Sequence, residues 1–510
     1  MKKPAQDCIL ALDVGTTNIR AVVYGPGLSL LHTSVLPCPP TYTPAGGVEY
    51  DLDKAWQTVT RVMADCLGYC DRAGKQVAGL ALTTQRNVLA IWDAKDGRPV
   101  MPAISWQDPR GGEHLSQLKK DGFDQRFSRK LGLSLGTNCV GLKLSWLMAT
   151  RPEIAAGLRS GRLLAGPLDT WLVYQMSRGR LFITDESSAA MLGLYNLHQR
   201  NWEDDALAAL GLDVIELPEV VNSIGRLGTV LLSNAKETEL SALCVDQQVA
   251  LFGHGCHGPG EAKCTIGTGA FVMVNLGDRP MNVLPELRNR VAWSWQGGVA
   301  YALEGVLIHA GSLFDWLFSL GLARDLDEAH ELAASEESSQ GLVLLPALSG
   351  LGAPHWRPDV KGSLSGLTAG TTSAHIWRAA WEAVAMQVVD VLRLVEQRTD
   401  LKITQLKVDG GVAACDGLMG LLASLANLEV CRPARLERTS LGVAALAGLS
   451  LGWWSRPSDI PLQDKDEGQG FSLSMDQQER SDVIGRWDRV VSDALSNAEK
   501  QLHSESDTCA

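Results

Sequence analysis

At 510 residues the chain is too long for one compact core, and its length implies about two to four domains. It is 45% apolar and 20% charged, an ordinary globular composition that excludes a disordered chain. The net charge of −12, from 46 basic and 58 acidic residues, excludes a nonspecific nucleic-acid partner held by a basic surface. Glycine is in excess, at 51 residues where about 7% is usual, and Trp (15) outnumbers both Phe (8) and Tyr (7). Extra glycine without a repeat points to tight turns or to loops that a ligand approaches closely. Eleven scattered cysteines with no CxxC pair predict reduced thiols and a cytoplasmic protein. Cys66 and Cys70, one helical turn apart, read as core packing. The N-terminal apolar run, Cys8–Leu12, is cut by Asp13 and is too short for a signal peptide. The longest weakly polar stretch, Val443–Trp454, is too short to span a membrane, so no membrane partner is expected.

Strand-like and helical patterns alternate along the chain. Ile9–Leu12 and Ile19–Tyr24 read as strands on either side of the stretch Asp13–Thr17. Asp51–Cys70 has helical periodicity, with Ala55, Trp56, Val59, Val62, Met63 and Leu67 on one face. Val77–Leu82 is a strand that runs into the polar cluster Thr83-Thr84-Gln85-Arg86-Asn87. Later come a turn at Cys264–Gly269, the strand Phe271–Leu276, a long helix over Trp377–Val395 and the strand Ile403–Val408. The class is α/β. An apolar strand ending in Asp then Gly occurs in both halves, at Asp13 and Asp409. This echo places a boundary near residue 250 and predicts domains 1–252 and 253–510. Asp464–Arg480 reads as a surface connection before a last amphipathic helix, Arg480–Gln501.

No GxxxxGK[ST] phosphate loop is present. The string Gly253–Gly258 matches GxGxxG, but Pro259-Gly260 follows where a dinucleotide site needs a helix to open. Adding Cys264 to that string makes no established zinc spacing. Three other turns carry better chemistry. Asp13–Arg20 joins a carboxylate at a strand end to a Gly and two hydroxyls, a turn whose N–H groups can cradle phosphate. There Asp13 could hold Mg²⁺ through water. Thr265–Gly269 is a second Gly/Thr turn before a strand. Val408–Val412 has paired glycines that let a ligand lie against the backbone. Each alone also fits a plain turn; together they suggest an ATP cleft between two related domains.

The chain resembles the FGGY carbohydrate kinase family, of the actin/Hsp70-like ATPase superfamily. The likeness runs from ALDVGTTNIR (11–20) through TTQRNVLAIWDAKDGRPVMPAISWQDPR (83–110), VDQQVALFG (245–253), TIGTGAF (265–271), ALEGVLIHAGSLFDW (302–316) and GSLSGLTAGTTSAHIWRAAWEA (362–383) to SLGVAALAGLSLGWW (440–454). The resemblance implies two ribonuclease-H-like domains with the active site in the cleft between them. It also implies ATP and Mg²⁺ as cofactors and a small polyol or sugar as substrate, with the pattern of the family's glycerol-phosphorylating members.

By the resemblance Asp246 is the general base, and Asp13 and Asp246 flank the Mg²⁺. Asp246 follows the apolar run Leu243–Val245, where partial desolvation keeps a carboxylate from being an inert solvated charge. A plain helix N-cap is the competing reading of that residue. The resemblance gives the phosphates to Thr16, Thr17, Asn18, Arg20 and Thr268, and the nucleotide pocket to Gly311, Asp315, Gly411 and Cys415. It gives the acceptor to Arg86, Asn87, Trp106, Asn138, Asp246, Gln247 and Phe271. Four of these depart from the family's glycerol pattern: Asn87 stands for Glu, Asn138 for Tyr, Asp315 for Gln and Cys415 for Asn. Asn87 and Asn138 open the way to a longer polyol or ketose, because a site built to bond particular hydroxyls discriminates strongly. A catalytically weak nucleotide-dependent sensor is a second reading, and an ATPase acting on protein partners a third. The stretch 233–239 lacks the Gly- and Arg-rich character of the family's fructose-bisphosphate loop, so that regulation is not carried over. Relatives are commonly dimers or tetramers, and nothing in the sequence chooses between a homodimer and a homotetramer.

Overall fold

The computed structural model describes residues 7–281, 286–435, 437–462 and 468–508, with side chains described as far as residue 501. The chain divides into two compact units that are discontinuous in sequence. The first comprises 1–257, 276–302 and 437–463; the second comprises 258–275, 303–436 and 464–510.

The first unit is built on a six-stranded sheet of β1 (Asp7–Val14), β2 (Asn18–Tyr24), β3 (Leu30–Pro37), β4 (Gln76–Thr84), β5 (Thr229–Leu231) and β6 (Glu237–Val245), in the order β5-β6-β4-β1-β2-β3. β1 is buried on both faces, which is why it reads as a continuous apolar run. β3 alternates between exposed and partly buried positions, as an edge strand does. β4 runs parallel to β1 and to β6, and Thr84 stands in register with both Val14 and Val245. Three strands therefore stop at one level. The helix Leu52–Arg72 covers this sheet, started by Asp51, whose side chain accepts from the Lys54 N–H. Its buried face includes Cys66 and Cys70, and the Cys70 sulfur lies 3.7 Å from that of Cys8.

A second sheet of the first unit has five strands, in the order Thr41–Tyr42, Val48–Tyr50, Ala103–Ile104, Leu89–Asp93, Leu163–Pro167. The chain passes from the end of β4 to this sheet through residues 85–88 alone. Asn87 makes the crossing in the left-handed region, at φ +60°, which Asn tolerates better than most residues.

The second unit repeats the grammar with β7 (Ala262–Ile266), β8 (Ala270–Gly277, of which 270–275 belong to this unit), β9 (Gly298–Leu307, of which 303–307 belong to it), β10 (Gln405–Asp409), β11 (Glu429–Arg432) and β12 (Gln469–Phe471). Their order is β9-β8-β7-β10-β11-β12. β7 pairs antiparallel with β8 and parallel with β10, as β1 does with β2 and β4. The repeat is real, but the echo seen in the sequence is out of step with it. Asp13 is the next-to-last residue of β1, whose counterpart is β7, whereas Asp409 ends β10, whose counterpart is β4. A buried parallel strand that must turn at the same sheet edge has the same ending wherever it lies, so the ending does not say which strand it is.

The stretch 464–480 departs from its reading as a connection. Residues 464–467 lie outside the described residues, but Gln469–Phe471 forms β12, antiparallel to β11. A three-residue edge strand with one buried side chain leaves no alternation to detect. The last helix runs over Gln477–Thr508 rather than from Arg480, because the Asp476 carboxylate accepts from the Glu479 N–H and starts it earlier. The GxGxxG string leaves the helix Asp246–Gly253 and opens no new one. Among the described residues no helix is long and apolar enough to cross a membrane.

The last helix docks within the second unit through Trp487, whose Nε1 donates to Asp390 Oδ2 at 2.8 Å. Burial pushes the Asp390 carboxyl up to about 7; Trp487 and Arg393 pull it down, and Asp488 adds to the rise. A carboxyl raised above its unfolded value stabilises the fold below about pH 4 and loses that contribution as the pH climbs through about 7. Asp390→Asn keeps an acceptor for Trp487 and abolishes the charge. The variant is expected to gain on the order of 2–4 kcal/mol over wild type at pH 8 and nothing at pH 4. Thermal denaturation of both proteins across that range checks it.

Candidate active site

The level at which β1, β4 and β6 stop gathers the polar groups of the first unit. Asp13 precedes the last residue of β1, and the turn to β2 closes with Gly15 N–H on Asn18 O at 3.0 Å. Gln85, just past β4, locks that turn: its N–H reaches Val14 O (2.8 Å), its Nε2 reaches Gly15 O (3.2 Å) and its Oε1 accepts from Thr16 Oγ1 (3.0 Å). The Trp106 indole N–H also points to Thr16 Oγ1, at 3.4 Å. Thr17 and Asn18 are exposed and bonded to each other, at 3.2 Å. Arg20 Nη1 pairs with Asp13 Oδ2 at 3.2 Å and with Glu437. Burial pushes the Asp13 carboxyl up to about 7 against the pull of Arg20, and the charges of Asp246 and Glu437 add to the rise. The two aspartates predicted to act together thus feel each other directly.

Asp246 is the first residue of the helix Asp246–Gly253; the cap position is Val245, so Asp246 is not the N-cap. Its Oδ1 accepts from the Gln247 N–H (2.7 Å) and meets Arg86 Nε at 3.5 Å. Arg86 also reaches Gln248 Oε1 at 3.4 Å. About a quarter of the Asp246 side chain is exposed, 26% against 10% for Arg86, so the carboxylate is the more accessible member of the pair. Two buried polar atoms have no hydrogen-bond partner: Asn87 Oδ1, on the residue after Arg86, and Nε2 of Gln248, whose Oε1 Arg86 reaches. Native interiors leave few such atoms, and an orphan acceptor is what a ligand hydroxyl can satisfy. Asn138 is half-buried, two residues before the helix Val140–Thr150, whose Lys143 donates to the carbonyl oxygens of Asn87 and Ser105.

In the second unit the turn from β7 to β8 has its own closure, Gly267 N–H on Gly269 O at 2.8 Å. Thr268 is exposed at its tip, and its carbonyl accepts from Ala310 and Ser312, both at 3.0 Å. Gly311 starts the helix Gly311–Ser319 against this turn; a Cβ there would lie 2.7 Å from Gly267 O. Gly410, at φ +93°, passes so close to β7 that a Cβ would lie 2.4 Å from Ile266 O, whereas Gly411 faces open space. Phe271 is half-buried on β8 and Asp315 is exposed on its helix. Cys415 is buried at the start of the helix Asp416–Ala426, where burial pushes its thiol up to about 11.

Three residues escaped the sequence reading. Gln85 had a signal, as part of a polar cluster directly after an apolar strand. Lys143 had one too, a single charge inside the apolar helix VGLKLSWLM. His309 had none. Its Nε2 accepts from the Ser349 N–H (3.1 Å), so its Nδ1 carries the proton toward Ser312 Oγ (2.9 Å) and ties a distant loop to the Gly311 helix.

Residues 8–253 match the N-terminal domain, and residues 262–451 the C-terminal domain, of the FGGY family of carbohydrate kinases. The chain belongs to that family. As an FGGY kinase it is a phosphotransferase with an alcohol group as acceptor. It is 40% identical to a glycerol kinase of Alkalilimnicola ehrlichii, over 95% of this chain and 97% of that one. It is 36% identical to a glycerol kinase of Shewanella amazonensis, over 96% and 99%. In three dimensions the FGGY chain matches a Plasmodium falciparum glycerol kinase with ADP at TM-score 0.91 and 26% identity, covering 97% and 99% of the two chains. A xylulose kinase from Lactobacillus acidophilus has the same fold, at TM-score 0.86, 19% identity and coverage of 97% and 99%.

Proposed function

We propose that the chain is an ATP-dependent glycerol kinase of the cytoplasm, with Asp246 as its general base. The end-to-end likeness to proteins named glycerol kinase carries the choice of acceptor. Geometry supports the base: a partly exposed carboxylate held at a helix start by the Gln247 N–H and Arg86.

Asp246 takes the proton of the acceptor hydroxyl as its oxygen bonds to the γ-phosphorus. The bond from that phosphorus to the bridging oxygen breaks, and ADP leaves with the electron pair. Arg86, Trp106 and Asn138 line up the acceptor with Gln247 and Phe271, and Asn87 Oδ1 accepts from one of its hydroxyls. Thr16, Thr17, Asn18, Arg20 and Thr268 hold the phosphates; Gly311, Asp315, Gly411 and Cys415 belong to the nucleotide. Such transfer depends on positioning and charge neutralisation more than on covalent chemistry.

Asp13 and Asp246 suit Mg²⁺, which takes one or two carboxylates and keeps waters and phosphate oxygens. Asp13's carboxyl, raised by burial and by its acidic neighbours, is a group that a cation would relieve. No larger metal-binding cluster occurs among the described residues. When bound, the ion would neutralise charge on the β- and γ-phosphates.

ADP release over a panel of glycerol, four- and five-carbon polyols and ketoses tests the reading. Glycerol as best substrate supports it; a longer acceptor in its place, the outcome Asn87 and Asn138 favour, keeps the kinase and overturns glycerol. No release with any acceptor would point to the sensor. Asn87→Gly keeps the left-handed backbone and deletes the orphan acceptor. It is expected to raise the KM for the acceptor about tenfold, the value of one hydrogen bond, with the KM for ATP unchanged. Steady-state kinetics in both substrates read it.

A further inference from the structure

Lys143 is fully buried in the helix Val140–Thr150, among Val140, Leu142, Leu144 and Leu147. It makes no ion pair. Burial pulls the Lys143 amine down to about 7; the opposing carboxylate, Asp108, is already taken by the Arg110 guanidinium (2.6 to 3.0 Å) and by the Val48 N–H (2.7 Å). Its ammonium instead donates to two backbone carbonyls, Ser105 O at 2.5 Å and Asn87 O at 3.4 Å. Burying an unpaired ammonium is expensive, and a leucine or methionine would fill an apolar helix more cheaply. What the amine contributes in return is its two hydrogen bonds to main-chain carbonyls.

Ser105 is followed by Trp106, and Asn87 follows Arg86. The two segments flank neighbouring strands, Leu89–Asp93 and Ala103–Ile104, which pair at Leu89 and Ile104; Lys143 bonds both just past the end of that pairing. Lys143 ties both to the helix that Asn138 precedes. One side chain thus holds the backbones behind Arg86, Asn87, Trp106 and Asn138. We propose that Lys143 is a positioning residue that sets the width of the acceptor pocket, and so its selectivity for acceptor length. The inference rests on the acceptor assignments above.

Lys143→Met keeps length and volume and removes the donors; Lys143→Gln keeps an amide donor on a shorter stem. Kinetics would be measured with glycerol, a four-carbon polyol and ATP, with hydrogen exchange of the same proteins. For Lys143→Met the KM for glycerol should rise about tenfold or more, while kcat and the KM for ATP stay within about threefold. The preference for one acceptor length should shrink by a similar factor. Lys143→Gln should recover part of each change, and exchange should quicken at residues 84–88 and 104–107 ahead of the rest of the unit. Unchanged acceptor KM and selectivity in both variants would overturn the proposal, as would exchange that quickens evenly throughout the unit. If wild type phosphorylates no polyol, the functional reading fails, and exchange alone then decides whether Lys143 positions these segments.

Discussion

Asp246→Asn is expected to lower kcat by about 10²- to 10⁴-fold, the usual contribution of a positioned general base. Asn matches Asp in shape and keeps an oxygen for the Gln247 N–H, so the helix start survives. What it lacks is a site for the proton of the attacking hydroxyl. Loss of a negative charge at a helix N-terminus costs about 0.3–1 kcal/mol, so the melting temperature should move by only a few degrees. The KM for the acceptor should change far less than kcat, because Arg86 and Asn87 remain. Single-turnover kinetics separate the chemical step from product release and are the measurement to make. A fall in kcat of less than about tenfold would remove Asp246 from the proton transfer.

Gly442→Val is expected to be the most destabilising single change near the site. The helix Arg438–Ser450 crosses the helix Asp246–Gly253 backbone to backbone. A Cβ on Gly442 would lie 2.1 Å from Val249 O and 2.9 Å from Gly253 N; one on Gly253 would lie 2.2 Å from Arg438 O. The clashing atoms are main chain, so no rotamer change relieves them and the helices must part. Overpacking costs about 1–3 kcal/mol when side chains can yield, and this site should reach the upper end or beyond. In a unit of this size that is a fall of roughly 5–10 °C in melting temperature. The folded fraction should also lose kcat, because the displaced helix carries Asp246 at its first turn. Gly253→Ala should act through the same gap, so the double variant should lose less than the two losses added. Additive losses would show that the crossing is not shared.

Much of the candidate site is legible in the sequence. Asp13, Thr16, Arg86 and Asp246 sit at strand ends or helix starts, positions that a run of apolar residues followed by polar ones marks locally. Trp106 and Asn138 were reached through the family resemblance. Gln85 and Lys143 left weaker marks, because a polar residue beside a strand and one charge in an apolar helix both have ordinary explanations. Only their hydrogen bonds, to residues 70 and 38 positions away, give them meaning. The strand Gln469–Phe471 was missed because three residues at a sheet edge carry no period.

The sequence alone determined a net-acidic, glycine-rich α/β chain with Gly-containing turns at strand ends. Those are properties of neighbouring residues: period, turn chemistry and capping act over a few positions and are written in order along the chain. Which strand stands beside which was decided only by the tertiary structure, and it corrected the echo that matched Asp13 with Asp409. It alone set Thr84 level with Val14 and Val245, brought Asp13 within reach of Asp246's charge and left Asn87 Oδ1 buried without a partner. Register, burial and electrostatic coupling depend on contacts between residues far apart in sequence, and no local pattern encodes them.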